Sequence, residues 1–362
     1  MTDSNRIITV NELAYKAIAK HNRRIFKHEA GVLLDNDPEH LHQMRVGIRR
    51  LRSAIASFAL TLNLPDILTD KSIAKIGHRL GKLRDLDVLL EVLSNSYRSH
   101  PRQFLQQGGA YKGWRQPPIA APGETPQRTV SQLSAKEQKI LDRVIKSLEK
   151  RRKRELKQVR KTLDSKLYLN LKQELNHWLK RPKYHKILGD LTIDYALPDL
   201  LLPQVSQFLI HPGWFVGIEL RSGKIKSPKI SNPDRIEQLL KSEDTLLHNL
   251  RKSAKKTRYS LELFSKFYGN TYHDYLQQVE TVQEILGQIQ DTYVLRKVVE
   301  KTLRAPISEK LPELTSLLLQ IRYQRWLEWQ ELQKQFLKDE TRQKFRWTIT
   351  EGIRTLEHQL LN

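Results

Sequence analysis

A histidine followed by evenly spaced arginines and lysines occurs twice in this chain. His42-x-x-Arg45-x-x-x-Arg49-Arg50-x-Arg52 is matched by His248-x-x-Arg251-x-x-x-Lys255-Lys256-x-Arg258, an offset of 206 residues (248 − 42). These residue types bind anions. An arginine fork grips phosphate oxygens in pairs, and a lysine offers a point charge. A histidine set among cations donates one hydrogen bond while neutral, or adds charge when a polyanion raises its pKa. A second pair of blocks keeps the same register: Leu80-Gly81-Lys82-Leu83-Arg84-Asp85 against Leu286-Gly287-Gln288-Ile289-Gln290-Asp291, again 206 apart (287 − 81). Two separated blocks sharing one offset point to a duplicated unit, with repeat one at about 6–181 and repeat two at about 198–362 of a single domain spanning 1–362.

Helices must carry these blocks, because helix signals dominate and strand signals are nearly absent. Thr9-x-x-Glu12 and Ser134-x-x-Glu137 are capping-box patterns, and Asp37-Pro38 and Asn232-Pro233 read as N-cap plus first helical position. The expected helices cover 10–34, 38–62, 70–98, 135–180 with a break near Asp164-Ser165, 233–267, 272–303, 309–338 and 341–360. Proline- and glycine-rich stretches at about 99–130 and 211–231 read as loop insertions, and Pro198 and Pro203 allow only short helical pieces between Leu197 and Ile210. The expected fold is all-α: two tandem helical repeats packed as one pseudo-twofold bundle around a basic groove or pore.

The helical period also places the charges. Leu41, Met44, Ile48, Leu51, Ile55, Phe58 and Leu62 form an apolar stripe, and Leu247, Leu250, Ala254, Thr257, Leu261 and Phe264 repeat it. His42, Arg45, Arg49 and Arg52 each follow a stripe residue by one position, about 100° around the helix, so they form a shoulder beside the core. His248, Arg251, Lys255 and Arg258 occupy the equivalent shoulder. A solvated row would normally lie opposite the core, whereas a shoulder row lines a groove where helices meet. Taken singly, each charge reads more simply as a solvated surface residue, and duplication in register is what argues otherwise. Cations so crowded repel strongly at low effective dielectric, and Glu39 and Glu262 fall outside the rows, so an anion is expected to supply the missing charge. Arg45 to Arg52 spans roughly 10 Å of helix, which suits an extended polymer better than one small phosphate.

Other features have plainer readings. Asp85 and Asp291 are candidate metal ligands or bases, but a carboxylate beside arginines more often pairs with one and holds it. Gly81 and Gly287 suit a close helix crossing. The run Arg151-Arg152-Lys153-Arg154, continued by Lys157, Arg160 and Lys161, either extends the basic lining or is a solvated face. Arg322 and Arg325 are its possible counterpart, and Tyr323, Trp326 and Trp329 read as core aromatics. No two-histidine spacing joined to a carboxylate suggests a metal site, and no cofactor is implied. GxxxxGK[ST], GxSxG and HExxH patterns are absent, so nucleotide hydrolases, serine hydrolases and zincins lack visible machinery.

Composition sets the outer limits. With 362 residues, 39% hydrophobic and 28% charged, the chain is globular in character. Lys+Arg total 63 against 40 for Asp+Glu, and a formal charge of +23 points to a polyanionic partner. Cysteine is absent, which removes disulfides and thiolate chemistry. No apolar run reaches the roughly 20 residues of a membrane span, and Met1-Thr2-Asp3-Ser4-Asn5 does not open a signal peptide, so a cytoplasmic, non-membrane protein is expected. RNA or DNA is one partner these charges would suit, and a metal-dependent phosphohydrolase built on Asp85 and Asp291 is a third reading.

At the doubled His/Arg motif and at Leu80-Gly81-Lys82-Leu83-Arg84-Asp85-Leu86-Asp87-Val88-Leu89 the sequence resembles the conserved histidine α-helical domain (CHAD) family. The resemblance covers most of the chain outside the two Pro/Gly stretches. It implies an all-α pseudo-symmetric bundle whose basic pore binds inorganic polyphosphate without catalysis, and a location at polyphosphate granules. Carried over, the binding residues are His42, Arg45, Arg49, Arg52, His248, Arg251, Lys255 and Arg258, with Arg50, Lys82, Arg84, Lys252 and Lys256 as additions. The second Leu-Gly block departs from the pattern at Gln288, Gln290 and Tyr293. The Glu-x-Glu-x-Lys signature of the triphosphate-tunnel hydrolases to which some relatives are joined does not occur.

Overall fold

The computed structural model describes residues 8–98 and 133–351. The expected 99–130 loop and the 352–360 end of the last helix lie outside the described residues.

Local signals start the helices where the sequence places them. Thr9 caps α1 (Val10–Lys27) by accepting the Glu12 amide at 3.3 Å, and Asp37 caps α3 (Pro38–Ser57) by accepting the Glu39 amide at 2.7 Å. The full capping box of Ser134 and Glu137 opens α5 (Ala135–Leu163). The remaining helices are α2 (Glu29–Leu34), α4 (Asp70–Arg98), α6 (Lys166–Lys180), α7 (Lys186–Asp190), α8 (Ile193–Leu209), α9 (Pro233–Ser242), α10 (Asp244–Phe264), α11 (Asn270–Leu303), α12 (Ile307–Lys310), α13 (Pro312–Leu337) and α14 (Asp339–Glu351). The expected 10–34, 233–267 and 309–338 helices are therefore each broken once, and α3 stops at Phe58, whose carbonyl accepts the Leu62 amide and the Thr61 hydroxyl.

Two expectations need correction. Pro198 and Pro203 do not divide their segment: α8 runs unbroken through both. Each ring costs a helix interior about 3 kcal/mol. Against that, Leu197, Leu201, Val205 and Phe208 are completely buried along one side of α8, and full burial contributes about 2 kcal/mol per side chain. Packing wins. The 211–231 stretch is also not featureless, since it holds a 3-10 turn at Pro212–Phe215 and an antiparallel hairpin of β1 (Glu219–Arg221) and β2 (Lys224–Lys226). Gly223, at φ 73°, makes the hairpin turn beside Ser222 at φ 52°. Among the described residues these are the two strands of an otherwise all-α protein.

Packing follows the apolar stripes. α3 lies against α1, α4 and α10, and α10 lies against α3, α8 and α11. The expected stripe residues of both helices are buried, Thr257 included. Where the two helices run past each other, Phe58 and Phe264 meet edge to face with ring centroids 5.6 Å apart. These residues share the 206-residue offset. A second apolar cluster, with Leu93, Leu141, Leu148, Leu295 and Ile321, joins α4, α5, α11 and α13. Trp326 and Trp329 are core aromatics as expected, Tyr323 is only half-buried against the same core, and Arg322 is buried with its Nε 2.7 Å from Glu237.

Phe58→Ala and Phe264→Ala are each expected to cost about 3–5 kcal/mol in urea unfolding. Because the rings touch, the double variant should lose less than the sum of the two.

Candidate functional site

α3, α4, α10 and α11 bring the two motif blocks of each half together. In the first half the Arg45 guanidinium crosses Gly81, with Nη1 3.4 Å from the Gly81 carbonyl and 3.5 Å from Asp85 Oδ1. In the second half Arg251 crosses Gly287, with Nη2 3.8 Å from Asp291 Oδ1. A Cβ on Gly287 would stand 3.2 Å from Arg251 Nε, and one on Gly81 would stand 3.4 Å from Arg45 Nη2. Each glycine thus clears a bed for an arginine, and the aspartate one turn later faces its head group. The glycines stand where α3 meets α4 and α10 meets α11, and the room they leave is taken by an arginine of the facing helix.

The two helices' cations converge on Lys255. Its pKa is pushed well down, first by burial and then by Arg49, Arg251, Arg45 and Arg258, two of them on α3 and two on α10. Protein atoms crowd this lysine from most directions, yet it keeps some solvent-accessible surface, as does Asp291. Burial raises the Asp291 pKa, Arg251 and Lys255 oppose the rise, and Asp85 adds to it. The carboxylates of the two blocks therefore feel each other as well. No carboxylate forms an ion pair with Lys255 among the described residues.

Tyr259 forms one wall. Its hydroxyl accepts Arg49 Nη1 at 2.6 Å, and the Arg49 and Arg258 guanidinium carbons lie 5.7 and 4.9 Å from the centre of its ring. Burial opposes the charge of Arg258, but Tyr259, Glu262 and Glu280 outweigh it and raise the pKa. His42, beside Arg84, Arg49 and Arg45, has its pKa lowered, with burial as the largest cause. His248 is lowered for the same reason, beside Lys252 and Arg251.

The other expected site residues are more dispersed. Arg50 turns toward α10, with Nη2 2.8 Å from Glu262. Arg52 grips Asp70 with two bonds of 2.8 and 2.9 Å. Arg258 reaches Glu280 at 2.5 Å and Glu262 at 3.6 Å. Lys82, Lys252 and Lys256 are exposed, and Arg84 is half-buried. The expectation that Glu262 stands apart from the rows is corrected: it serves a cation from each helix. Asp70 and Glu280 do likewise from α4 and α11, so part of the charge is balanced within the protein. Sequence reasoning missed Tyr259, Asp70 and Glu280 and set Glu262 apart from the cations; none of the four repeats at the offset. In the basic run of α5, Arg152 bonds Asp87 at 2.6 Å and Asp35 twice at 2.7 Å, a structural clamp, while Lys153, Arg154 and Lys157 are exposed. Among the described residues no group of three or more His, Asp or Glu side chains is placed to hold a metal.

The comparison that decides the family is a match of the CHAD domain model to residues 16–300, most of the chain. The chain belongs to the CHAD domain family. The crystal structure of the CHAD domain from the plant Ricinus communis superposes with a TM-score of 0.54 at 20% identity, covering 95% of this chain and 92% of that one. PptA from Streptomyces chartreusis aligns at a TM-score of 0.49 and 12% identity, over 91% of this chain and 99% of that one. No curated protein matches the chain. At this identity the Ricinus domain shares the fold: the all-α CHAD architecture positions α3, α4, α10 and α11 as described.

The lowered histidine pKa values carry a sign. Folding favours neutral His42 and His248, so their contribution to stability is full above the unfolded value near 6.5 and is lost as pH falls through it. NMR titration is expected to place both midpoints below 6.5. His42→Gln with His248→Gln should flatten the decline of the urea midpoint between pH 7 and 5.

Proposed function

We propose that this CHAD protein binds long-chain inorganic polyphosphate without transforming it. The ligand would lie in a basic groove or pore between two helical repeats related by a pseudo-twofold. The reading rests chiefly on one observation: Lys255 stands among Arg45, Arg49, Arg251 and Arg258 from both motif helices and forms no ion pair with a carboxylate among the described residues, Asp291 acting on it only from a distance. An unneutralised cation in a crowded, low-dielectric setting is unfavourable by itself and favourable once an anion arrives. The family resemblance names the anion. An extended polyphosphate offers one charge after another to Arg45, Arg49, Lys255, Arg251 and Arg258, with His42 and His248 as hydrogen-bond donors at the margins and Lys82, Arg84, Lys252 and Lys256 reaching from the rim. Asp85 and Asp291 face arginines, which favours a positioning role over metal-assisted hydrolysis. A location in the cytoplasm at polyphosphate granules belongs to the same proposal; no helix among the described residues is long and apolar enough to cross a membrane.

Nucleic acid is the second reading, carried by the formal charge of +23. Single-strand binders stack bases on free aromatic faces. Here the aromatic ring beside the cations, Tyr259, is buried under two guanidiniums.

A competition titration at two salt concentrations separates the readings. Long polyphosphate should displace labelled RNA, and with about five phosphates engaged its affinity should fall about 100-fold between 50 and 200 mM salt. Arg45→Glu with Arg251→Glu should abolish binding while helicity is retained. RNA that resists displacement would favour the nucleic-acid reading, and chains shortened on incubation with Mg²⁺ would favour a hydrolase.

A further inference from the structure

A second hollow of about 360 Å³ opens where α1, α3, α10 and the turn after α10 meet. None of Arg45, Arg49, Arg251, Lys255 or Arg258 lines it, so it lies beside the cation cluster, with Tyr259 and Glu262 at the boundary between them. Its size falls within the range of small-molecule pockets, roughly 300–1,000 Å³.

Three features of the lining point to a ligand. The first is charge: Lys16, Lys20, Arg50 and Lys266 face the hollow against a single carboxylate, Glu262. That carboxylate is already shared by Arg50 and Arg258. Lys16 and Lys266 are close enough that Lys16 helps burial to lower the Lys266 pKa. The second is an unmet hydrogen-bonding need. His21 lines the hollow at only 6% exposure, and its Nδ1 has no partner; Arg50 Nε is likewise buried without one. Buried polar atoms are ordinarily paired, and an oxygen-bearing ligand would pair these. His21 has its pKa lowered to about 4, with burial as the largest cause and Arg50 next, so it is neutral at pH 7. The third is an apolar floor, built from Leu13, Ala17, Ala54 and Leu263.

We propose that this hollow is a second anion site that takes a small organic phosphate: a phosphomonoester whose phosphate is held by Arg50, Lys266 and Lys16 near His21 and whose ring-shaped body lies on Leu13, Ala17 and Leu263. A polymer of bare phosphate leaves that apolar floor uncovered, and a neutral ring compound leaves the cations unmatched.

Adenosine 5′-monophosphate is a suitable probe, titrated by calorimetry with the His21 ring signals followed by NMR. One saturable site is expected, with His21 shifting on binding, and adenosine or inorganic phosphate alone should bind at least about tenfold more weakly. Lys16→Glu with Lys266→Glu should weaken the mononucleotide at least about tenfold while long polyphosphate binds as before. Arg45→Glu with Arg251→Glu should leave the mononucleotide unaffected, which makes the outcome independent of the polyphosphate reading. Loss of mononucleotide binding in the Arg45/Arg251 variant, equal binding of adenosine, or no saturation at millimolar concentration would each overturn the proposal.

Discussion

Like charge held close in a protein interior is the constraint around which this molecule is arranged. Lys255, Arg45, Arg49, Arg251 and Arg258 repel one another, and the pKa of Lys255 is lowered first by burial and then by that repulsion. Much of the nearby structure moderates it. Gly81 and Gly287 leave room for two guanidiniums to lie flat, Asp85 and Asp291 face their heads, and the ring and hydroxyl of Tyr259 engage two more. Asp291 acts on Lys255 without forming an ion pair with it, and residual positive potential stays where solvent has access.

Arginines elsewhere show what complete neutralisation looks like. Arg152 holds two carboxylates at once, joining α5 to α4 and to the end of α2, and its pKa is raised accordingly by Asp35 above all, with Asp87 adding to it. Arg322 is buried against Glu237 and the Ile289 carbonyl. These side chains are matched within the protein and act as fasteners. Residue type alone does not separate a fastener from a binding group; the number of acceptors within reach does. The formal charge of +23 is accordingly a weaker guide than the acceptors that surround each buried cation.

Much of the arrangement was legible in the sequence because it is local or periodic. The N-caps at Thr9, Asp37, Ser134 and Asn232 are chemistry within four residues, the stripes of α3 and α10 are a helical period, and the cation shoulder follows from that period. The pairing of Asp85 and Asp291 with arginines was readable from residue type and spacing. What escaped depends on tertiary structure. Asp70 reaches Arg52, Glu280 reaches Arg258 and Glu262 reaches Arg50 only because α3, α4, α10 and α11 stack as they do, whereas Glu262 meets Arg258 locally, four residues along α10. Tyr259 has Ser53 as its counterpart at the offset, so no repeat flagged it. The prolines of α8 misled for a related reason, since a local cost was overridden by burial that no short window contains. The hollow beside α1 was invisible too, because His21 and Arg50 become neighbours only after folding.

Phe58 and Phe264 hold the same place in the two blocks and touch each other. In an assembly of two identical half-length chains, such a contact would be one residue meeting its own copy, and every substitution would strike both sides together. Within one chain the two blocks are free to differ, and here they do. Arg49 stands opposite Lys255 in the alignment, and Lys82 and Arg84 opposite Gln288 and Gln290. A polymer passing between the halves would therefore meet unequal walls, and its two directions of entry would no longer be equivalent.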